Sequence, residues 1–188
     1  MKKTAVIFPG VGYTKDRPLL YYSGRQAVRY GYDLVQIEFG PIKWSKEELK
    51  DRDFLLTTLD KCIAITDKAL QNTGDLSDGE VVFISKSIGT VVATAYAKKN
   101  GIRAKQICFS PLEMIDEYVD DEGATLFYGN ADPYADCRAI EEIAARKRLA
   151  TYLVDGGNHS LETGDFATDA DNLKDMILYI SDYIFNPD

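Results

Sequence analysis

The stretch EVVFISKSIGTVVATAYAKKNG, Glu80 to Gly101, decides the fold. Val81 to Ser85 is a short apolar run of the kind that forms a strand buried on both faces. After it the apolar period lengthens. Gly89, Ala93 and Ala97 recur at i, i+4 and i+8, the spacing of one helix face, and such small residues let a helix pack close under a sheet. Between the two halves lies Ser85-Lys86-Ser87-Ile88-Gly89, a strand-to-helix turn with Ser87 at its apex. Small residues two before and two after an apex, here Ser85 and Gly89, prevent clashes in a sharp, strained backbone. A serine there is either an ordinary turn residue or a nucleophile, and the turn alone does not decide between them.

The rest of the chain repeats the alternation. Predicted strands are Ala5–Phe8, Leu34–Phe39, Val81–Ser85, Gln106–Phe109, Thr125–Tyr128 and Thr151–Val154. Gln36 and Glu38 suit an edge position for the second of these. Helical spacing of Leu55, Leu59, Cys62, Ile63 and Leu70 predicts a helix from about Lys46 to Asn72. Leu173, Met176, Ile177, Ile180 and Ile184 predict another, with Thr168 and Asp169 as cap candidates. Shorter helices are predicted over Gln26–Tyr30 and Ala139–Lys147. This order implies an α/β protein: a mainly parallel six-stranded sheet inside a three-layer α/β/α sandwich. The 188 residues suit a single domain over 1–188.

Composition narrows the function classes. The chain has 22 basic and 30 acidic residues, a formal charge of −8. An acidic surface repels phosphate backbones, so nucleic acid is not the expected partner. Cys62, Cys108 and Cys137 form no C-x-x-C pair, and with one histidine in the chain no metal site is expected. Cys62 and Cys108 read as small buried hydrophobes. The N-terminal apolar run breaks at Pro9-Gly10, too early for a signal peptide, and no run is long enough to span a membrane. A cytoplasmic location is the expectation.

In parallel sheets of this kind, ligands bind beyond the carboxyl ends of the strands. Reading those loops in order gives Pro9-Gly10-Val11-Gly12-Tyr13, then Ser87, then Ser110-Pro111-Leu112, then Gly129-Asn130-Ala131-Asp132-Pro133, then Asp155-Gly156-Gly157-Asn158-His159-Ser160. A serine, an aspartate and the only histidine each follow a different strand. A hydroxyl becomes a competent nucleophile when a base removes its proton, and imidazole suits that task. A carboxylate on the other ring nitrogen fixes the tautomer and stabilises the imidazolium. Ser87, His159 and Asp132 fill these roles. Backbone N–H groups of Ile88 and of Val11 or Gly12 are candidates to receive a developing oxyanion. Asp155 and Asp136 are rival acids. The first reads as a turn residue and the second as a helix cap. Ser85 is the rival nucleophile, but its side chain should point away from the site.

These residues resemble the α/β-hydrolase superfamily over nearly the whole chain, from about Thr4 to Phe185. The carriers are the Ser85-Lys86-Ser87-Ile88-Gly89 elbow, the Tyr128-Gly129-Asn130-Ala131-Asp132-Pro133 acid loop and the Gly157-Asn158-His159-Ser160 histidine loop. The resemblance implies an α/β-hydrolase fold with strand order 2-1-3-4-5-6, lacking the first two strands of the full family sheet. It also implies a Ser87-Asp132-His159 triad with no cofactor. Two positions depart from the family pattern: Ser85 stands for the usual glycine, and Pro9-Gly10 for the usual His-Gly. Only about a dozen residues, Pro111 to Gly123, occupy the place of the family's lid, so an open site is expected.

The expected activity is a serine hydrolase acting on an ester or thioester of a small acyl compound. Tyr13, Trp44 and Tyr134 are candidates to line its pocket. Lys86 either attracts acidic substrates or bridges to a nearby carboxylate, the latter being the plainer reading. The alternative function is a non-catalytic small-molecule-binding protein on the same fold, motivated by Pro9. A dinucleotide site suggested by Gly10-x-Gly12 lacks the third glycine or alanine, Lys15 standing in its place.

Overall fold

The structure, a computed structural model, describes residues 2–40, 42, 45, 48 and 51–186. Six strands form one all-parallel sheet: β1 (Lys3–Phe8), β2 (Asp33–Gln36), β3 (Glu80–Lys86), β4 (Ala104–Phe109), β5 (Ala124–Gly129) and β6 (Ala150–Val154). Their order is β2-β1-β3-β4-β5-β6, so β1 lies inside the sheet and the direction of strand addition reverses between β2 and β3. Among the described residues four α-helices lie between strands, α1 (Pro18–Arg29), α2 (Arg52–Leu70), α3 (Ile88–Asn100) and α4 (Cys137–Lys147), and a fifth, α5 (Phe166–Ile180), follows β6.

Strand alternation divides the core. On one face Ala5, Ile7, Val82, Ile84, Ile107 and Phe127 pack against α1 and α5. On the other face Val6, Phe8, Val81 and Phe83 pack against α2 and α3. Further along that second face, Cys108, Leu126 and Tyr128 meet Ile140 and Ile143 of α4. Three layers result, as the alternation of apolar runs requires. Cys62 and Cys108 are buried free thiols within these clusters.

Several boundaries differ from the predicted ones for local reasons. β2 ends at Gln36, before the predicted Phe39. Ile37 still donates to the Ile7 carbonyl at 3.0 Å. The next donor on β1 would be Pro9, which has no N–H, so the ladder stops there. The helix predicted over Gln26–Tyr30 begins eight residues earlier at Pro18, a favourable first helical residue because its missing N–H would be unpaired anyway. The helix predicted from Lys46 starts at Arg52, where the Asp51 carboxylate accepts from the N–H groups of Asp53 and Phe54. Part of that predicted start, and the loop residue Trp44, lie outside the described residues. α5 is capped by Asp165, which accepts from the Thr168 N–H, and not by Thr168 or Asp169 themselves. Asp169 instead accepts from Thr163 and Gly164. Asp136 caps α4 as expected.

The segment in the place of a lid is tied down. Its short 3₁₀ turn, Glu113–Glu117, buries Met114 and Ile115. The Glu117 carbonyl accepts from Lys98 of α3 at 2.9 Å, and Glu113 accepts from the Asp136 N–H at 2.7 Å.

α3 sits unusually close to β1. A Cβ on Gly89 would lie 2.3 Å from the Phe8 carbonyl oxygen and 2.6 Å from that of Pro9. Neither backbone can yield without moving β1 or α3. Gly89→Ala is therefore expected to destabilise the fold by about 1–3 kcal/mol or more, the usual cost of overpacking a rigid site. Urea unfolding of the variant beside the wild type measures it.

Candidate active site

The carboxyl ends of β3, β5 and β6 bring three side chains together. Ser87 follows β3 at φ 57° and ψ −125°, a left-handed, strained turn. It is held there because its N–H donates to the Phe109 carbonyl of β4 at 3.0 Å, while its own carbonyl accepts from Thr90. Its side chain is directed toward the histidine loop. His159 Nε2 lies 2.8 Å from Ser87 Oγ, and His159 Nδ1 lies 2.7 Å from Asp132 Oδ2. An ionised carboxylate only accepts, so Nδ1 carries the proton and Nε2 is free to accept from the serine hydroxyl. The second carboxylate oxygen, Asp132 Oδ1, accepts from the Tyr134 N–H at 2.8 Å. Such a relay is able to withdraw the hydroxyl proton as the oxygen attacks a carbonyl.

The loops carrying these residues are cross-braced. Ala131 donates to the Gly157 carbonyl, which joins the acid loop to the histidine loop. Asn130 bridges the same two loops through Asp155 and the Gly156 N–H, at 2.7 Å each. Asp155 thus has the turn role expected of it. Asn158 Oδ1 accepts from Ser160 and Glu162, curling the chain tightly after His159. Ser110, at φ 42°, donates its hydroxyl to the His159 carbonyl at 3.0 Å. Sequence reasoning passed over Asn130, Asn158 and Ser110 as loop residues. Their signal is modest: side chains able to pair with backbone, placed at strand ends.

Ser85 points away, as expected. Its hydroxyl donates to the Ile107 carbonyl at 3.0 Å, inside the sheet. Gly10 fits the elbow closely: a Cβ there would stand 3.2 Å from Ser87 Cβ and 3.2 Å from the Lys86 carbonyl oxygen. The backbone of the Pro9–Gly12 loop therefore approaches Ser87 through Gly10, and Val11 is the next N–H along it. Gly12 is exposed and at φ 70°.

Lys86 requires a correction. It was expected as a solvated turn residue that attracts substrates or bridges to a carboxylate; it is instead enclosed, and among the described residues no carboxylate lies within ion-pair distance of it. Its side chain is among the largest fully buried ones, 1% exposed. Alternation along β3 sends it to the face opposite Ser85, beneath the histidine loop. There Nζ donates to the His159 carbonyl at 2.5 Å and lies 5.2 Å from the centre of the Tyr13 ring. Tyr13 is half-buried, and its hydroxyl accepts from the Leu19 N–H. Tyr134 packs edge-on against the His159 ring, centroids 4.9 Å apart.

Two clefts are lined by neighbouring loops and by none of Ser87, Asp132 and His159 themselves. One of about 370 Å³ is lined by Gly10, Val11, Gly12, Glu38, Phe39 and Ile42. The other, about 230 Å³, is lined by Tyr13, Leu19, Ser160, Leu161, Phe166 and Leu173. Among the described residues no cluster of three or more His, Cys, Asp and Glu is arranged to hold a metal ion, and no helix is long and apolar enough to cross a membrane.

Burial sets the protonation states. It pushes the His159 imidazole below its ordinary 6.5, with help from the nearby Lys86 charge and against the pull of Asp132. Burial works to raise the Asp132 carboxyl, but the hydrogen bond and charge of His159, the Tyr134 N–H and Lys86 together hold it below its usual value. Burial pushes Lys86 down to about 7, Asp132 opposing.

The chain as a whole can be compared with known proteins. No protein-family model matches it. No curated protein matches it. Solved structures do. A serine hydrolase without a lid from Xanthomonas campestris aligns over 94% of this chain and 78% of its own, with a TM-score of 0.66 at 13% identity. An alpha-beta serine hydrolase homologue from Coxiella burnetii covers 97% of this chain and 85% of its own, with a TM-score of 0.65 at 9% identity. Est1E from Butyrivibrio proteoclasticus, solved with ferulic acid bound, covers 95% and 90%, with a TM-score of 0.65 at 13% identity. The chain has the α/β-hydrolase fold.

The charge balance around the imidazole is directly measurable, because His159 is the only histidine. Its NMR titration is expected to show a midpoint below 6.5. Asp132→Asn removes a partner that favours the imidazolium, so its midpoint is expected to fall further. A midpoint that rises in Asp132→Asn contradicts the arrangement.

Proposed function

We propose that this chain is a serine hydrolase that cleaves an ester or thioester of a small acyl compound through an acyl-enzyme on Ser87. The observation that carries the reading is the unbroken line from Asp132 through His159 to Ser87, with contacts of 2.7 and 2.8 Å, on an elbow held at positive φ. The likeness to serine hydrolases and to Est1E, solved with ferulic acid bound, supports it at the level of fold.

The steps follow from the positions. Ser87 Oγ attacks the acyl carbon while His159 Nε2 takes its proton. Asp132 stabilises the imidazolium that results. The oxyanion forms beside the N–H at the start of α3, that of Ile88, where the helix dipole also favours negative charge. Val11 is the second donor we assign, since Gly10 brings its backbone against Ser87. His159 then returns the proton to the leaving oxygen or sulfur, and a water repeats the sequence to release the acid. The cleft lined by Gly10 to Gly12 and the one lined by Tyr13 and Ser160 have room for a small acyl group and a small leaving group. Tyr134 covers an edge of the base. No cofactor takes part in this scheme, and the substrate is a small molecule.

A fluorophosphonate probe is expected to label Ser87 in the wild type and nothing in Ser87→Ala. Turnover of short acyl esters is expected to fall by on the order of 10⁴–10⁶ in that variant. In the wild type, kcat/KM is expected to rise with pH through the His159 midpoint, below 6.5, since the base acts when neutral. Ester turnover undiminished in Ser87→Ala overturns the assignment. Tight ligand binding with neither labelling nor turnover favours the non-catalytic reading.

A further inference from the structure

Among the described residues Lys86 is the one fully buried charged side chain, the chemistry above leaves it unused, and it lies against the histidine loop. It ends β3, directly before Ser87. Its ammonium is sealed from water with no carboxylate within ion-pair distance among the described residues. Its contacts are the His159 carbonyl and the face of Tyr13. Burying an unpaired charge is expensive, and a leucine or methionine would fill the place beneath the loop without that penalty. The same carbonyl is already satisfied by Ser110. Satisfying a carbonyl is therefore not a sufficient reason for a lysine there.

The charge has a second consequence. Held against the His159 backbone, it acts on the Asp132–His159 pair in opposite senses, stabilising the carboxylate and opposing the imidazolium. We propose that Lys86 is a positioning residue for the base: its ammonium anchors the backbone of His159 from below and its charge keeps the resting imidazole neutral while Asp132 stays ionised. This role rests on the proposed hydrolase reading for its purpose, but its physical content does not. The charged and titratable groups facing the ammonium are Asp132 and His159 from the acid and histidine loops and Tyr13 from the loop after β1. Glu162 and Arg17 lie further out, where they act on Tyr13. Tyr13, whose phenol burial pushes up to about 12, stays neutral throughout the working range.

Loss of the proton from Lys86 removes the charge but leaves an amine that still donates to the His159 carbonyl. Anchor and charge are thus separable. Lys86→Met removes both, and Lys86→Arg keeps a charge. The test is the NMR titration of His159 in the intact chain, which needs no substrate. Expected is a midpoint that moves to higher pH in Lys86→Met than in the wild type, with the acidic limb of kcat/KM moving by the same amount, and a midpoint that stays low in Lys86→Arg. A lysine that merely braces the loop would lower the melting temperature of Lys86→Met and leave the midpoint where it was, and that result overturns the proposal. If the variants do not fold, the wild type decides: one lysine followed through its ¹³Cε resonance should titrate near 7, and His159 should show a second inflection at the same pH. No lysine titrating far below the solvent-exposed ones, with a single His159 inflection, overturns it equally. Fluorophosphonate labelling of the same wild-type sample separates the two claims, because an unlabelled Ser87 rejects the hydrolase and leaves the His159 titration to judge Lys86.

Discussion

Everything at the site depends on how closely the start of α3 is pressed against the end of β1. With hydrogen in place of a side chain at Gly89, the helix reaches the carbonyls of Phe8 and Pro9. Ser87, two residues before, makes the turn between β3 and this closely packed helix at φ 57°. The strain is repaid by hydrogen bonds on both sides, from the Ser87 N–H to β4 and from Thr90 to the Ser87 carbonyl. It leaves the hydroxyl standing above the sheet, the first helical N–H beside it, and Gly10 against its flank. A looser packing at Gly89 would relax the turn, and the serine would be one more helix-cap residue.

A second constraint is electrostatic. The base is mostly enclosed, its side chain 20% exposed, and the acid nearly wholly so, at 3%. In that setting each neighbouring charge counts for more than it would in water. Asp132 pulls the imidazole toward its charged form; burial and Lys86 push it toward the neutral form that accepts a proton. The result is an imidazole held toward its neutral form with a carboxylate beside its Nδ1. Asn130 bridges the acid and histidine loops, Asn158 curls the histidine loop on itself and Ser110 ties that loop to the end of β4, so that this balance is struck at fixed distances.

The parts of this arrangement that were legible in the sequence are those governed by period and by chain order. Buried strands announce themselves as apolar runs, and Ser87, Asp132 and His159 could be placed at one sheet edge because each directly follows such a run. The order of the strands was legible only through the family resemblance. Lys86 was misread because a lysine next to a turn is ordinarily solvated, and the groups that enclose it come from Tyr13 and from a loop 73 residues away. Alternation from Ser85 pointed to its face but not to its burial. The early end of β2 followed from the missing N–H of Pro9, a detail of a neighbouring strand that no pattern within β2 contains. Asp165 was overlooked as the cap of α5 because Thr168 and Asp169 are equally good cap types nearer the apolar repeat, and Asp169 is occupied with the turn at Thr163.

The central claim is that Ser87 becomes covalently acylated, and one measurement addresses it most directly. The chain is mixed with an activated short-chain acyl ester, quenched in acid within the first turnover, and digested for mass spectrometry of the Glu80–Gly101 region. Expected is one added acyl group, located by fragmentation on Ser87, that disappears when the chain is left to hydrolyse it before quenching. Turnover of the ester with no adduct, or an adduct that maps to Lys86 or Cys137 with Ser87 unmodified, would contradict the account.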